Sequence, residues 1–404
     1  MTTQTGRHGL RGRMTSTAVL VVFVVSACVV APGRSAGSEG TESAAPVESP
    51  ALSSAPSASM PPSTPGISPT PTQVPFGDGL PPDVASRLQE LSWAHDGLRG
   101  LFYGTVGGPS RSLPTDGYIS VRAGAPKLFV FGVKYGEPVT LTGVDPRSGS
   151  SEVLLELTPP ATRFGIVGSA DGRFAYFNLS SEKVDEGIQR LDLTDGTVTE
   201  ITAPAPLPTF PPTGPPTGRG GLLLSPDEGT LVAVLCDTGR CAIDVVDTAT
   251  LAVRRIEDRD PLAVGDETIL LRIREDTRLL LRTIANDEER TIEPWDRSDA
   301  FPAGAQILGA VALGDNRYVL GRSGFRHYDI TLVDAAAGTE TLLWRDPDPG
   351  ERRALDLITS LPPIGDWVWL SGPDGPAPGE ALWGLNARNG TLLEVGAFAP
   401  EAGS

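Results

Sequence analysis

One turn recurs along the chain and constrains its fold more than any other feature. A small residue, an Asp and a β-rich run occur as Ser169-Ala170-Asp171-Gly172-Arg173-Phe174 and as Ser225-Pro226-Asp227-Glu228-Gly229-Thr230. The pattern returns as Gly265-Asp266-Glu267, Gly314-Asp315-Asn316-Arg317-Tyr318 and Gly365-Asp366-Trp367, with Asp-to-Asp spacings of 56, 39, 49 and 51 residues. Asp accepts hydrogen bonds from the backbone two residues on and Gly supplies positive φ, so Ser-Pro-Asp-x-Gly predicts a tight hairpin. A second marker lies between these turns, an aliphatic residue followed by Asp or Asn and a turn. It occurs as Val144-Asp145-Pro146, Leu193-Thr194-Asp195-Gly196, Val246-Asp247-Thr248, Val333-Asp334-Ala335 and Leu385-Asn386-Ala387. Asn286-Asp287-Glu288-Glu289 mimics it loosely. Each marker precedes a final short strand, so one repeat is a four-stranded meander. Such a sheet cannot bury both faces alone, and sheets of about 45 residues stack radially.

These turns resemble the Ser-Pro-Asp-Gly turns of TolB-type and other WD40-like β-propellers, over about Tyr118 to Phe398. The resemblance implies an all-β propeller and leaves function open, because propellers host both binding and many chemistries. Six blades are expected, over 118–158, 163–202, 219–258, 261–295, 305–345 and 354–397. The strand-like Gly100–Val106 completes a blade at the closure point or starts a seventh. The rival fold, a β-sandwich, does not require a single repeat period.

The N-terminus reads as a targeting segment. Arg7, Arg11 and Arg13 precede a short apolar run from Ala18 to Val25. That run is well below the ~20 residues a membrane span needs and suits a signal-peptide core. It ends in Val25-Ser26-Ala27-Cys28, which resembles a bacterial lipobox. The resemblance implies cleavage before Cys28 and lipid attachment to it, which places the protein outside the cytoplasm on the membrane. Arg far outnumbers Lys, and Ala, Gly and Pro abound, a composition that fits a GC-rich bacterium of the actinobacterial kind. From Thr41 to Pro75 there are nine Pro, eight Ser, five Ala, four Thr and no aromatic residue. Such a stretch cannot offset its conformational entropy, which predicts a disordered tether. As polyproline II it would reach about 150 Å. Val84, Leu88 and Leu91 then fall on one face of a short helix over Asp83–Leu91, closed at its N-terminal side by Pro81 and Pro82. The chain thus divides into a signal peptide (1–27), tether (28–82), helix and lead-in strand (83–117), propeller (118–398) and tail (399–404).

Charge and composition exclude several functions. The net charge of −17 offers no basic face for nucleic acid. Three Cys and three His, scattered, do not make a structural zinc site or iron–sulfur cluster. No Ser lies in a Gly-x-Ser-x-Gly elbow. Of the His, His327 begins a strand and His95 follows the helix in Trp93-Ala94-His95-Asp96-Gly97, where the Gly suggests a helix terminus. Adjacent acids such as Asp258/Asp260 and Asp346/Asp348 read as solvated surface. Neither a cofactor nor a metal is expected.

Cys236 and Cys241 flank Asp237-Thr238-Gly239-Arg240 at facing positions of one hairpin, which outside the cytoplasm favours a disulfide. Trp367 and Trp369 alternate along one strand and share a face, read as packing between blades. The segment Ala203–Arg219 holds seven Pro around Phe210 and is too long for a tight connection. The expected function is a non-catalytic binding module for a protein, peptide or envelope polymer. The expected surface comprises Tyr135, Arg163, Phe210, Arg219, Arg240, Arg274, Arg322 and Arg345, in loops that share one face and carry residue types enriched at interface hot spots. The alternative is a propeller hydrolase or lyase using carboxylates or a metal in the central channel.

Overall fold

The computed structural model describes residues 76–399 apart from 98–99, 114–117, 123–126, 134–138, 158–162, 181–183, 204, 207–220, 237–240, 258–259, 273–277, 295–305, 324–327, 347–354 and 373–375. Seven antiparallel sheets follow one another, and in each the strands lie side by side in chain order, save that Ala205–Pro206 of the third pairs with Val184–Asp192 and not with Val198–Glu200. They are the blades of a β-propeller: blade 1 spans 92–113, blade 2 118–157, blade 3 163–206, blade 4 222–257, blade 5 260–291, blade 6 306–345 and blade 7 356–397. Blades 2 to 7 have at least four strands, while blade 1 has three. Apolar residues fill the space between neighbours. Val232, Ile243 and Val245 of blade 4, for example, meet Val264, Ile269 and Leu271 of blade 5.

Seven blades are present, the count that the spare strand left open beside the six favoured. The additional one is built on the strand Gly100–Thr105, paired with Ser92–Gly97 and Arg111–Leu113. The segment around His95 is therefore a strand rather than a helix terminus, and His95 stands opposite Phe102.

The helix Pro82–Glu90 starts with Pro at its first position, where a missing N–H costs nothing. Asp83 in its first turn and Arg87 in its last suit the helix dipole. Its buried Val84 and Leu88 enter a cluster with Ile358, Ile364, Trp367 and Trp369 of the blade 7 region and Trp93 of blade 1. Trp367 and Trp369 share this cluster, as their alternation predicts. Trp93 lies 6.1 Å from Phe398, ring centre to ring centre. Two backbone bonds complete the closure: Gly77 N–H to the Val395 carbonyl and Gly107 N–H to that of Phe398, both 2.8 Å. Full burial of a side chain such as Leu88 contributes about 1.5–3 kcal/mol. Among the described residues the first and last blades are thus joined by an apolar seam and share no strand.

The turns between first and second strands form a second set of ties. Ser169 and Ser225 donate their hydroxyls to Asp171 and Asp227, which accept the N–H groups of Arg173 and Gly229 two residues on. In blade 4 the left-handed position falls on Glu228 (φ 61°) and not on Gly229, whereas blade 3 has Gly172 there (φ 69°). Glu228 carries a carboxylate to that place, and it accepts the N–H of Ala170 in blade 3. Asp266 of blade 5 accepts the N–H of Asp227 in blade 4 at 3.0 Å. Asn316 of blade 6 accepts the N–H of Glu267 and donates to its carboxylate, both at 3.0 Å. Asp366 of blade 7 takes Arg317 of blade 6 at 2.7 Å. The recurrent acidic residue therefore caps its own turn in blades 3 and 4, whereas Asp266 and Asp366 reach back to the blade before.

The second marker is also corrected in two places. Asp145, Asp247, Asp334 and Asn386 each accept, through their own carbonyls, the N–H four residues on. The equivalent in blade 3 is Asp192, bonded by Gly196 N–H, with Asp195 capping Thr197 instead. In blade 5 it is Thr283, bonded by Asp287 N–H. Register, more than motif, sets these positions.

Candidate functional site

A cavity of ≈ 810 Å³ lies at the centre, on the side of the propeller where the turns between first and second strands converge. Inner-strand residues of blades 3 to 6 form most of its wall, among them Val167, Leu223, Leu224, Leu262 and Ala312. Residues 359–364 continue the wall in blade 7. The remaining arc is charged: Arg87 and Glu90 come from the last turn of the helix, and Lys127, Asp145 and Arg147 from blade 2.

The acids at this mouth are held by local partners. Asp145 accepts the N–H of Arg147 at 2.8 Å and the Ser148 hydroxyl at 2.9 Å. These bonds, led by that of Arg147, hold its carboxyl below the ordinary carboxylate range. Glu228 holds Ala170 of blade 3. Of the cations, Lys127 is drawn to Glu152 at 2.5 Å. Arg87 and Arg147 make no salt bridge among the described residues. The Arg147 carbonyl accepts from Arg111 of blade 1 at 2.6 Å, which fixes the turn that carries it.

Most of the expected binding residues lie outside what the structure describes: Tyr135, Phe210, Arg219, Arg240 and Arg274 fall in the excluded segments, and of Arg163 only the backbone is described. The Pro-rich segment begins with a short strand, Ala205–Pro206, paired to Val184–Asp185, so its start extends blade 3. Arg322 is a correction. It is 7% exposed, with Nη2 donating to Glu340 at 2.9 Å. Its Nε lies 2.6 Å from the other carboxylate oxygen, which also accepts the Thr331 hydroxyl at 2.7 Å. Arg345 keeps a third of its side chain exposed, but its guanidinium grips buried Asp329 through two bonds of 2.8 and 2.9 Å. Arg255 and Asp244 repeat this pair in blade 4. A strand-end arginine looks alike in sequence whether it faces solvent or a carboxylate on the next strand. The register supplies the difference, since Asp329 stands directly opposite Arg345 and Asp244 opposite Arg255.

Cys236 and Cys241 are cross-strand partners in the backbone register of blade 4. Among the described residues, no group of three or more His, Cys, Asp or Glu side chains is placed to hold a metal ion. No described helix is long and apolar enough to cross a membrane.

Sequence reasoning missed the mouth itself. Its cations come from a helix end and from blade 2, and no motif joins them.

A scan against protein-family models gives no match, and a search of curated proteins gives none. Similarity to solved structures is found at the level of the fold. An oligogalacturonate lyase in complex with manganese is 14% identical with a TM-score of 0.47, over 76% of this chain and 84% of that one. TolB from Acinetobacter baumannii is 12% identical with a TM-score of 0.40, over 75% and 78%. A Mycobacterium tuberculosis puromycin-hydrolyzing peptidase is 14% identical with a TM-score of 0.44, over 82% of this chain and 57% of the peptidase.

Proposed function

We propose that the protein is an extracytoplasmic lipoprotein, anchored to the membrane through Cys28, whose propeller is a non-catalytic binding module for a protein, peptide or envelope polymer. The observation that carries the binding reading is the use made of buried carboxylates. Asp244, Asp329 and Glu340 are each buried against an arginine of the adjoining or next strand. Hydrolysis or lysis by carboxylates needs acids aimed at open space, and these are committed to strand pairing. The lipobox-like Val25-Ser26-Ala27-Cys28 and the Pro/Ser/Ala/Thr-rich stretch after it support a head held away from the membrane. The partner surface in this reading is the one expected from the sequence, built on Phe210, Arg219 and Arg240. A bridge between Cys236 and Cys241 would brace the hairpin that bears Arg240.

Two measurements test this reading. Cys28→Ala should move the protein from the detergent phase to the aqueous phase, and a variant that still partitions with membranes sinks the anchor. Crosslinked capture from the protein's own envelope should recover a partner whose yield falls with Phe210→Ala and Arg219→Ala. Undiminished capture by both variants would remove that surface. Cleavage of oligogalacturonate in the presence of Mn²⁺ by the purified chain would overturn the non-catalytic reading.

A further inference from the structure

Blade 1 has three strands, and its contacts show which three of the usual four they are. In blades 4 and 5 an arginine of the fourth strand reaches the turn between third and fourth strands of the next blade. Arg254 donates to the Ile284 carbonyl at 2.8 Å, and Arg290 to that of Ala336 at 3.4 Å. Arg111 does the same from blade 1, donating to the Arg147 carbonyl at 2.6 Å. The turn before Arg111 also meets the end of the preceding blade as a third-to-fourth turn does. Gly107 (φ 74°) donates to the Phe398 carbonyl, much as Gly338 (φ 72°) of blade 6 accepts the N–H of Glu293. Arg111–Leu113 is therefore a fourth strand, Gly100–Thr105 a third and Ser92–Gly97 a second. The innermost strand has no counterpart in blade 1 among the described residues, because the chain enters the second strand directly from the helix through Leu91. Neighbouring first strands approach one another from blade 2 round to blade 7, and no comparable approach links blade 7 back to blade 2. Over 93–97 the second strand is thus paired with a described strand on one edge, and its other edge faces the channel.

We propose that an extended peptide segment of a partner protein seats on this edge as the first strand of blade 1, antiparallel to Ser92–Gly97. The backbone groups of a sheet edge are a template for a further strand, and a peptide added in this way takes its affinity from main-chain hydrogen bonds. The chemistry of the segment follows from the positions it copies. The first strands of blades 4 to 6 are aliphatic or small over Leu222–Leu224, 262–264 and 309–313. A strand with packed sheets on both sides reads as a continuous apolar run, and Pro is unsuited to it. The segment is therefore neutral, free of Pro and about as long as the six residues of Ser92–Gly97. The net charge of −17 disfavours an acidic one. The chain ahead of Phe76 is a poor filler, since Thr41–Pro75 holds nine Pro, and Pro brings no N–H. This site is additional to the surface expected at Phe210 and Arg219, and the inference does not rest on that surface.

The test uses the full chain and a synthetic peptide that copies the blade 6 run Ile307-Leu308-Gly309-Ala310-Val311-Ala312-Leu313, extended by two lysines and a fluorescein. Fluorescence anisotropy should show saturable binding of one equivalent. The same peptide with its last four copied residues N-methylated keeps its apolar surface and loses those backbone donors. It should bind on the order of 100-fold more weakly, the effect of about two or three lost hydrogen bonds. Alternate amides over 93–97, those outside the existing ladder, should exchange hydrogen fast in the free chain and slowly once the first peptide is added. Successive N–H groups of a strand point to opposite edges, and Pro is tolerated at a free edge. Of Ala94→Pro and His95→Pro, one should lower the melting temperature by breaking the ladder with Gly100–Thr105. The other should keep it and weaken peptide binding about tenfold. Phe210→Ala with Arg219→Ala should leave this binding unchanged, which separates the site from the other surface. The proposal is overturned if the wild-type chain shows no saturable binding, or if the methylated peptide matches the unmodified one. It is equally overturned if the proline variant that keeps its melting temperature binds like wild type. Slow exchange of all amides over 93–97 without peptide, in a monomer or a dimer, also overturns it, since the chain itself or a second copy then fills the place.

Discussion

Glu340 offers the sharpest test of how the blades are held. Its side chain is fully buried and receives the Arg322 guanidinium and the Thr331 hydroxyl, and Arg322 itself is almost fully enclosed. Glu340→Gln keeps the shape and removes the charge, which leaves a desolvated guanidinium without its counterion. Breaking a buried pair from one side costs about 3–5 kcal/mol. For a domain of this size that corresponds to a loss of roughly 6–10 °C in melting temperature, at about 2 °C per kcal/mol. Replacing all three partners by apolar residues of similar volume, Arg322→Met with Thr331→Val and Glu340→Leu, removes every orphaned polar group. That variant should match or exceed wild type, because well-packed apolar replacements of buried ion pairs are neutral or stabilising by about 1–4 kcal/mol. Thermal unfolding followed by circular dichroism on the three proteins decides the matter. A Glu340→Gln melting temperature within a degree of wild type would refute the reasoning, since the pair would then be solvated. A triple variant less stable than the single one would show that the polar network itself fixes blade 6.

Other consequences follow for the turns and the tyrosine between blades 5 and 6. Glu228→Gly should be more stable than Glu228→Ala by about 1 kcal/mol in denaturant titration, because both lose the bond to Ala170 but only Gly relieves the left-handed backbone. Burial raises the Asp266 carboxyl above its ordinary 3.8, so its ionisation weakens the fold as pH climbs through that raised value. Asp266→Asn should therefore stabilise the protein at neutral pH and bring no gain near about pH 3, where wild type is already protonated. Tyr318 is pushed up to about 12 by burial, and its hydroxyl donates to the Thr268 carbonyl at 2.6 Å. Its stabilising effect should persist below about pH 10 and be lost as pH rises through 12, and Tyr318→Phe should delete a phenolate that appears near pH 12 in an absorbance titration. Mass spectrometry of exported protein, without reductant, should find Cys236 and Cys241 two hydrogens lighter than free thiols. Alkylatable thiols would remove the bridge.

The periodic turns carried the architecture in the sequence because each hairpin needs its own Asp, Asn or Gly. The strand Gly100–Val106 was legible as the start of a possible seventh blade, but its first strand was not, because His95-Asp96-Gly97 resembles a helix ending as much as a strand leading to a hairpin. Asp195 was mistaken for the marker of blade 3 because two aspartates lie three residues apart and both cap turns. Only the bond from Gly196 to the Asp192 carbonyl distinguishes them. Glu228 in a left-handed turn has no sequence signal beside an adjacent Gly. The arginines show the deeper limit. Arg345 and Arg322 were read as surface because their partners, Asp329 and Glu340, stand on other strands, and pairing across a sheet depends on register that a single chain does not display.

The seam between blades 1 and 7 also bears on how the molecule is made and loaded. Trp93 and the helix find their cover in Ile358, Trp367 and Phe398, near the far end of the chain. During synthesis the first elements to emerge must therefore wait, with apolar surface exposed, until nearly the last strand is translated. That is a high-contact-order closure, and it belongs to the slow class of folding events. It also sets the path of any pull on the chain ahead of Phe76. Tension enters at Gly77 and passes directly into the strand Leu392–Ala397 through the Val395 carbonyl. A load applied at one end is thus shared at once with the blade at the other. The weakest link under traction should be the helix seam, with the inner strands last to part.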